Sequence, residues 1–492
     1  MSERTHYEIL EVPLTATAED VKQSYRRLAK RLHPDTNAAT DANEQFQALQ
    51  LAYETLNDPA ARAIYDAQIA SELRRLHTNL ALRLTPSHAK LQLMSEAQAV
   101  YVLAEIKSAA TTELRRPRLN LCLVMDRSLS MEGVRLQQAR EAANYLIDHI
   151  EPNDILSVIA FSDRAHLVIQ GQVGMDRSAA KAAVNGIRPG GGTELLQGVR
   201  AGLTQLQQNR TANTLDQLIL LTDGQTYGDE EGCLDAADLA AREKLGLTLL
   251  GLGHDWNDKL LDEMAVRSGG YSTYVDSPAK LVSVFQKQFA NLSQVLSRDL
   301  HITFNLSSQA EIKEAYRITP DIARIKLHEN VGLLGMLEAN RPIRLLIEVM
   351  TKTNMLGPMR ILRAQASGEA IDSSALRDAV DAELSLEISE SVDAKLKPPE
   401  EIVDMLGRIA AFKVQEKAVQ EIEKGDYMRA TSRLKNLATH LLNYGEVELS
   451  RSMLLEAGEV ARTGRLSEEG RKRIHYGTRG LSQTALLSKD TK

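Results

Sequence analysis

The sequence predicts a multidomain α/β protein in four parts. An α-helical segment covers residues 1–70, and a β-sandwich is assembled from 78–115 plus 299–365. A doubly wound α/β domain over 118–296 is inserted between the sandwich halves, and a C-terminal α-helical bundle covers 375–480. Three observations carry this expectation. The length of 492 residues corresponds to about three domains at ~150 residues each. Hydrophobic residues make up 43% and charged residues 25%, enough apolar material for several cores. The period of the apolar residues also changes along the chain, and each change marks a boundary.

In the first part Val21, Tyr25, Leu28, Ala29 and Leu32 recur at helical spacing, as do Phe46, Leu49, Ala52, Tyr53 and Leu56. A polar loop with Pro34 separates them, and Asn57-Asp58-Pro59 stops the second helix. Over 78–115 the spacing switches to alternation at Leu80, Leu82 and Leu84, then Leu91 and Leu93, before the strand-like run Ala99–Leu103. From 118 to 296 come near-continuous apolar runs at Leu121–Met125, Ile155–Phe161, Leu218–Leu221 and Leu247–Leu250. Such runs suit parallel strands covered on both faces. The stripe Ala139, Ala142, Ala143, Leu146, Ile147 and Ile150 supplies an intervening helix, and the alternation argues for a doubly wound sheet. Strand-like segments return at Ile302–Leu306 and Leu345–Val349, and we expect them to pair with the strands of 78–115. After Pro398-Pro399 the pattern is helical, with turns at Gly425-Asp426 and Asn443–Gly445.

Composition narrows the function classes. Lys and Arg number 59 against 66 Asp and Glu, a formal charge of -7, which argues against nucleic acid as a partner. Two cysteines, Cys122 and Cys233, build neither a disulfide framework nor a four-cysteine zinc site. No apolar run approaches the roughly 20 residues of a membrane span, and Met1–Tyr7 lacks the basic-then-apolar order of a signal peptide. The expected location is the cytoplasm.

The first chemistry-bearing motif is His33-Pro34-Asp35. Before it, Lys22, Arg26 and Lys30 are spaced four apart with Arg27 and Arg31 beside them; five cations against Glu19 and Asp20 give residues 19–32 a local +3. Pro34 fixes its own φ and restricts His33, so the corner is stiff. With Tyr7–Leu10, Val21–Ala29, Ala52–Leu56 and Tyr65-Asp66, in that order, residues 1–70 resemble the J domain of DnaJ-type co-chaperones. The resemblance implies a docking device. The basic helix (Lys22, Arg26, Arg27, Lys30) meets an acidic patch on an ATP-loaded DnaK-type chaperone, while His33, Pro34 and Asp35 accelerate the partner's ATP hydrolysis. One departure is that the basic cluster usual before the final Tyr-Asp is reduced to Arg62. The Gly/Phe-rich linker and Cys-x-x-Cys repeats of full-length DnaJ are absent, so client recognition falls to another module.

The second motif is Asp126-Arg127-Ser128-Leu129-Ser130, directly after the first buried strand. Open α/β sheets bind ligands at the carboxyl ends of their strands. Gly190-Gly191-Gly192-Thr193 adds a hydroxyl, and Thr222-Asp223-Gly224 adds a carboxylate. Oxygen donors of this kind suit Mg²⁺, and the His or Cys ligands preferred by zinc are missing. Taken alone, Asp126 and Ser128 would be a helix cap. The three loops together resemble the metal-ion-dependent adhesion site of von Willebrand factor type A domains. The resemblance implies Asp126, Ser128, Ser130, Thr193 and Asp223 as ligands of Mg²⁺ or Mn²⁺, with an open position for a partner protein's carboxylate. Leu129 stands where that family commonly has glycine. The glycine run lacks the Gly-Lys-Ser/Thr of a P-loop, and neither serine lies in a Gly-x-Ser-x-Gly elbow.

Among the C-terminal helices, Ala418, Ile422, Gly425–Tyr427, Ala430 and Leu434 resemble the turn of one tetratricopeptide unit, without a sustained repeat. The stretch Arg471–Arg479 is basic, yet residues 400–492 hold 16 cations against 14 anions. The expected function is a non-enzymatic adaptor that docks on a DnaK-type chaperone and binds a client or partner protein through the metal-bearing domain. The alternative is a scaffold for a AAA+ ATPase or other multiprotein assembly.

Overall fold

The computed structural model describes residues 6–10, 12, 18–32, 42–59, 61–62, 65, 79–109, 116–211, 214–226, 228–371, 377–391 and 397–489. The chain divides into two compact units, Met1–Thr78 and Asn79–Lys492.

The first unit contains α1 (His6–Ile9), α2 (Ala18–Leu32) and α3 (Ala42–Asn57). Residues at helical spacing on α2 and α3 bury one another: Val21 and Leu28 close against Leu49, Ala52 and Leu56, with Leu10 from the end of α1. Each of the valine and leucine side chains contributes about 1.5–3 kcal/mol by leaving water. Tyr25 stacks on Tyr53 at 4.1 Å between ring centres, and the Ser24 hydroxyl donates to the Leu10 carbonyl at 2.5 Å.

The second unit opens with β1 (Leu80–Pro86), β2 (Lys90–Gln92) and β3 (Met94–Ser108). The inserted domain follows, with strands β4 (Arg118–Asp126), β5 (Ile155–Phe161), β6 (Ala165–Ile169), β7 (Thr214–Thr222), β8 (Gly246–Leu252) and β9 (Tyr271–Val275). Its helices are α4 (Val134–His149), α5 (Arg177–Asn185), α6 (Leu195–Asn209), α7 (Glu230–Arg242), α8 (Asp258–Ser268) and α9 (Leu281–Leu292). The sheet order is β6-β5-β4-β7-β8-β9, parallel except for β6, which runs antiparallel on the β5 edge. One face packs on α4, α5 and α9, the other on α6, α7 and α8. Two covered faces explain why β4, β5 and β7 read as unbroken apolar runs. Chain order reverses at β4, which lies between β5 and β7.

The chain then returns as β10 (Val295–Leu306), β11 (Ala310–Thr319), β12 (Ala323–Arg324), β13 (Val331–Glu338), β14 (Ile343–Thr353), β15 (Gly357–Ala370) and β16 (Arg377–Ser389). Two five-stranded sheets, β1-β3-β14-β11-β12 and β13-β10-β15-β16-β2, enclose one core. The halves on either side of the insertion meet at β3 and β14, where Val102 lies opposite Ile347 and Val100 opposite Val349. The boundary expected at 375 is corrected. Residues 377–389 are a sandwich strand, because Val380, Ala382, Leu384, Leu386 and Ile388 alternate with polar residues at the two-residue period of a half-buried strand.

The helical region begins after Pro399, as α10 (Glu400–Glu423), α11 (Tyr427–Asn443), α12 (Val447–Thr463) and α13 (Glu468–Lys489). It covers the outer face of the first sheet, where Leu103, Tyr316, Ile318 and Leu346 pack with Ile402, Met405, Ile409 and Phe412. That explains why β3 buries residues on both faces. Cys122 and Cys233 are buried free thiols. Among the described residues no helix is long and apolar enough to cross a membrane.

Candidate metal centre

The carboxyl end of β4 delivers Asp126 into the crevice created by the reversal of strand order. Its Oδ1 accepts the Ser128 backbone N–H at 2.8 Å and its Oδ2 the Thr222 hydroxyl at 2.6 Å. The Ser128 and Ser130 hydroxyl oxygens are 2.9 Å apart, and Ser130 donates to Asp223 Oδ1 at 2.7 Å. Both carboxylates are buried, whereas Ser130 is exposed at the mouth. Thr193 is half-buried beside the backbone that follows Asp223: a Cβ on Gly224 would lie 2.7 Å from its Oγ1. The structure thus brings Asp126, Ser128, Ser130, Thr193 and Asp223 together from three loops.

Those loops hold one another. Gly190 N–H donates to the Arg127 carbonyl at 2.8 Å, and Leu129 N–H to the Gly191 carbonyl at 3.1 Å. Gly191 has φ +84°, and a Cβ there would sit 2.5 Å from an Asp163 carboxylate oxygen, so this turn demands glycine. Asp163 in turn accepts Gly192 N–H at 2.7 Å. Behind Thr193, the Thr226 hydroxyl donates to Asp229 at 2.5 Å and Asp229 accepts Leu196 N–H at 2.9 Å. Leu129 occupies a short 3₁₀ turn (Leu129–Met131) and is 63% exposed. Its φ is not among the positive values, so the leucine fits where the family commonly has glycine.

Electrostatics favour a cation here. Burial pushes the Asp126 carboxyl up to about 6, with Asp223's charge adding, against the hydrogen bonds from Ser128 and Thr222 that pull it down. Two buried carboxylates beside three hydroxyls form a hard-oxygen donor set that fits Mg²⁺ or Mn²⁺. Among the described residues no group of three or more His, Cys, Asp or Glu side chains is arranged to hold a metal ion. Arg135 of α4 reaches the site as well, donating to Asp223 Oδ2 at 2.6 Å. Motif reading missed Arg135, Asp163 and the role of Thr222; only Thr222, adjacent to Asp223, carried a signal in the sequence.

In the first unit, Lys22, Arg26 and Arg27 are exposed on α2, and Arg27 also donates to the Ser24 hydroxyl at 3.0 Å. Lys30 is on the same helix. His33, Pro34 and Asp35 lie outside the described residues.

A second polar centre forms where α13 meets the inserted domain. Asp262 accepts from Tyr476 and Arg479 at 2.7 Å each and from Ser272, with His475 Nε2 also 2.7 Å away. The other arm of Arg479 donates to Asp321 of the sandwich at 2.5 Å. The basic stretch Arg471–Arg479 is therefore turned largely inward.

An open sheet with one antiparallel edge strand, bearing Asp-x-Ser-x-Ser, threonine and aspartate loops at its carboxyl edge, defines a type A domain. Comparison with known proteins identifies the parts of the chain. Residues 5–66 match the DnaJ domain and 120–287 the von Willebrand factor type A domain. Residues 400–484 match the Sll0103-like, C-terminal alpha-helical domain. The chain thus joins a DnaJ domain to a type A domain and a helical C-terminal region. It is 34% identical to Synechocystis sp. protein sll0103 over 211 residues, 42% of this chain and 50% of that protein. It is 52% identical to the chaperone protein DnaJ of Thermosynechococcus vestitus over 63 residues, 13% of this chain and 17% of that protein. The chain therefore spans half of the first relative's length and under a fifth of the second's. The fold is shared with a von Willebrand factor type A structure from Catenulispora acidiphila, at TM-score 0.69 and 17% identity, over 82% of this chain and 97% of that one. The ArnB paralog VWA2 from Sulfolobus acidocaldarius gives TM-score 0.52 and 15% identity, over 82% and 99%. A shared span of that size extends beyond the inserted domain.

Proposed function

We propose that this chain is a non-enzymatic adaptor of the cytoplasm that brings a DnaK-type chaperone to a client or partner protein. The observation that carries the reading is the presence, in one chain, of a DnaJ domain and a type A domain in which the oxygen-bearing side chains of Asp126, Ser128, Ser130, Thr193 and Asp223 come from neighbouring loops. In the first unit, exposed Lys22, Arg26 and Arg27 offer cations to an acidic surface, and the His33-Pro34-Asp35 corner stimulates ATP hydrolysis by the chaperone. In the second, Asp126, Ser128, Ser130, Thr193 and Asp223 hold Mg²⁺ or Mn²⁺. When bound, the ion supplies an open, electrophilic position for a partner's carboxylate. Thr222 and the Ser128 amide orient Asp126, and the glycine turn at 190–192 presents Thr193.

Steady-state ATP hydrolysis by a DnaK-type chaperone, measured with the intact chain and with Asp35→Asn, tests the first grip. We expect stimulation by the intact chain only; no stimulation, or equal stimulation by both, defeats the co-chaperone reading. Calorimetric titration with Mg²⁺ and Mn²⁺ tests the second, with binding expected for the intact chain and lost in Asp223→Ala. Absence of binding by the intact chain refutes the metal reading.

A further inference from the structure

Asp223 is shared between two donors. Its Oδ1 accepts the Ser130 hydroxyl at 2.7 Å, while its Oδ2 forms a 2.6 Å ion pair with Arg135 Nη1. The same nitrogen donates to the Ser130 carbonyl at 3.1 Å, so the guanidinium braces the Asp-x-Ser-x-Ser loop from behind. Its other edge faces Gly253, where a Cβ would lie 3.6 Å from Nη2. Asp223 is wholly buried and the Arg135 side chain is 32% exposed, so solvent screens this pair only in part.

From this geometry we propose that Arg135 is a specificity-determining residue of the metal site: a built-in cation that competes with the divalent ion for Asp223 and leaves the loaded site with net positive charge. The inference rests on the metal reading above. Asp126 and Asp223 alone would neutralise a divalent ion. Arg135, a guanidinium cation, brings the loaded assembly to +1. The bare ion is thereby held more loosely, and the residual charge is of the sign that attracts a carboxylate from a partner. A purely positioning role has the opposite consequence, because removing a brace from Asp223 would scatter the ligands and weaken metal binding.

The test is calorimetric titration of the full chain with Mn²⁺ alone, comparing the native protein with Arg135→Gln and Arg135→Lys, each checked for native folding by circular dichroism. Arg135→Gln is expected to bind Mn²⁺ tighter by on the order of tenfold, and Arg135→Lys, which keeps the charge, to stay close to the native protein. Binding by Arg135→Gln that is equal to or weaker than native overturns the proposal while leaving the metal reading intact. So does Arg135→Lys behaving like Arg135→Gln. Failure of the native chain to bind Mn²⁺ overturns the metal reading and the proposal together. Asp126→Asn supplies the baseline of a site that has lost a carboxylate.

Discussion

Lys472 has no solvent-exposed surface, an expensive position for an ammonium group unless its donors are satisfied. It is satisfied by backbone: Nζ donates to the carbonyls of His254 and Trp256 at 2.5 Å each and lies 4.5 Å from the Trp256 ring centre. Burial pulls its pKa below the ordinary lysine value, although Asp258's charge opposes the shift. The loop it grips is fixed from inside, since the Trp256 indole donates to the Gly253 carbonyl at 2.9 Å. A Cβ on Gly251 would lie 2.0 Å from the indole, so only glycine fits beneath that ring. Lys472→Met keeps the volume but orphans two buried carbonyls, and we expect a loss of about 2–4 kcal/mol in urea unfolding. A loss under 0.5 kcal/mol, the ordinary range of surface substitutions, would show that the ammonium does not secure the loop. Little of this was legible in the sequence. Arg471–Arg479 reads as a basic face because, beyond the local Glu468 and Glu469, its acidic partners Asp258, Asp262 and Asp321 are at least 158 positions away. The candidate site residues were legible for the opposite reason: Asp126 follows directly, and Asp223 after one threonine, on an apolar strand run whose end fixes their position.

At the scale of the element, α13 straps the inserted domain to the sandwich, and its strength is tied to pH through Asp262. Burial alone would raise that carboxyl, but Arg479's charge, the hydrogen bond and charge of His475 and the Ser272 hydroxyl outweigh it and hold the group well below the ordinary carboxylate range. Asp321 is lowered likewise: against burial, Arg317 and Arg479 prevail. Carboxyls whose folded pKa is depressed contribute stability above their unfolded pKa, roughly 3.9, and lose it as pH falls below that value. The strap is therefore expected to hold through neutral pH and to detach below about pH 4. Trp256, the single tryptophan of the chain, reports this directly, because Tyr476 of α13 lies 5.7 Å from it, centre to centre. Its fluorescence should change between about pH 4 and 2 before the far-ultraviolet signal of the sheets is lost. Arg479→Leu leaves two half-buried carboxylates short of a partner and should cost about 1–3 kcal/mol, with the fluorescence change moved to higher pH. An acid transition unmoved by Arg479→Leu would show that this ion-pair network is not what holds α13.

Across the whole molecule, the insertion was readable because strand-period segments stood on both sides of a block that alternates continuous apolar runs with helices. The pairing of β3 with β14 follows from that order, although their partners are about 240 positions apart. What was not readable reflects competing patterns. The edge strand β6 shows the mixture Ala165-His166-Leu167-Val168-Ile169, too short to display a period. The strand β16 follows a polar stretch, Asp372-Ser373-Ser374, that looks like a boundary. The division at Thr78–Asn79 has a sharper consequence. Among the described residues, the sandwich, type A and helical cores draw on residues from Leu80 onward, and the DnaJ-domain core on residues up to Leu56 with partial cover from Tyr65. A chain starting at Asn79 should therefore unfold with the same thermal midpoint as the type A transition of the intact protein. It should show the same Mn²⁺-induced rise in midpoint and no stimulation of a DnaK-type chaperone. Differential scanning calorimetry with and without Mn²⁺, beside the ATP hydrolysis assay, measures all three. A shortened chain that melts several degrees lower, or whose midpoint no longer responds to Mn²⁺ when the intact protein's does, would mean that the first 78 residues help to build the metal-bearing unit. The two grips would then be one structure rather than two joined modules.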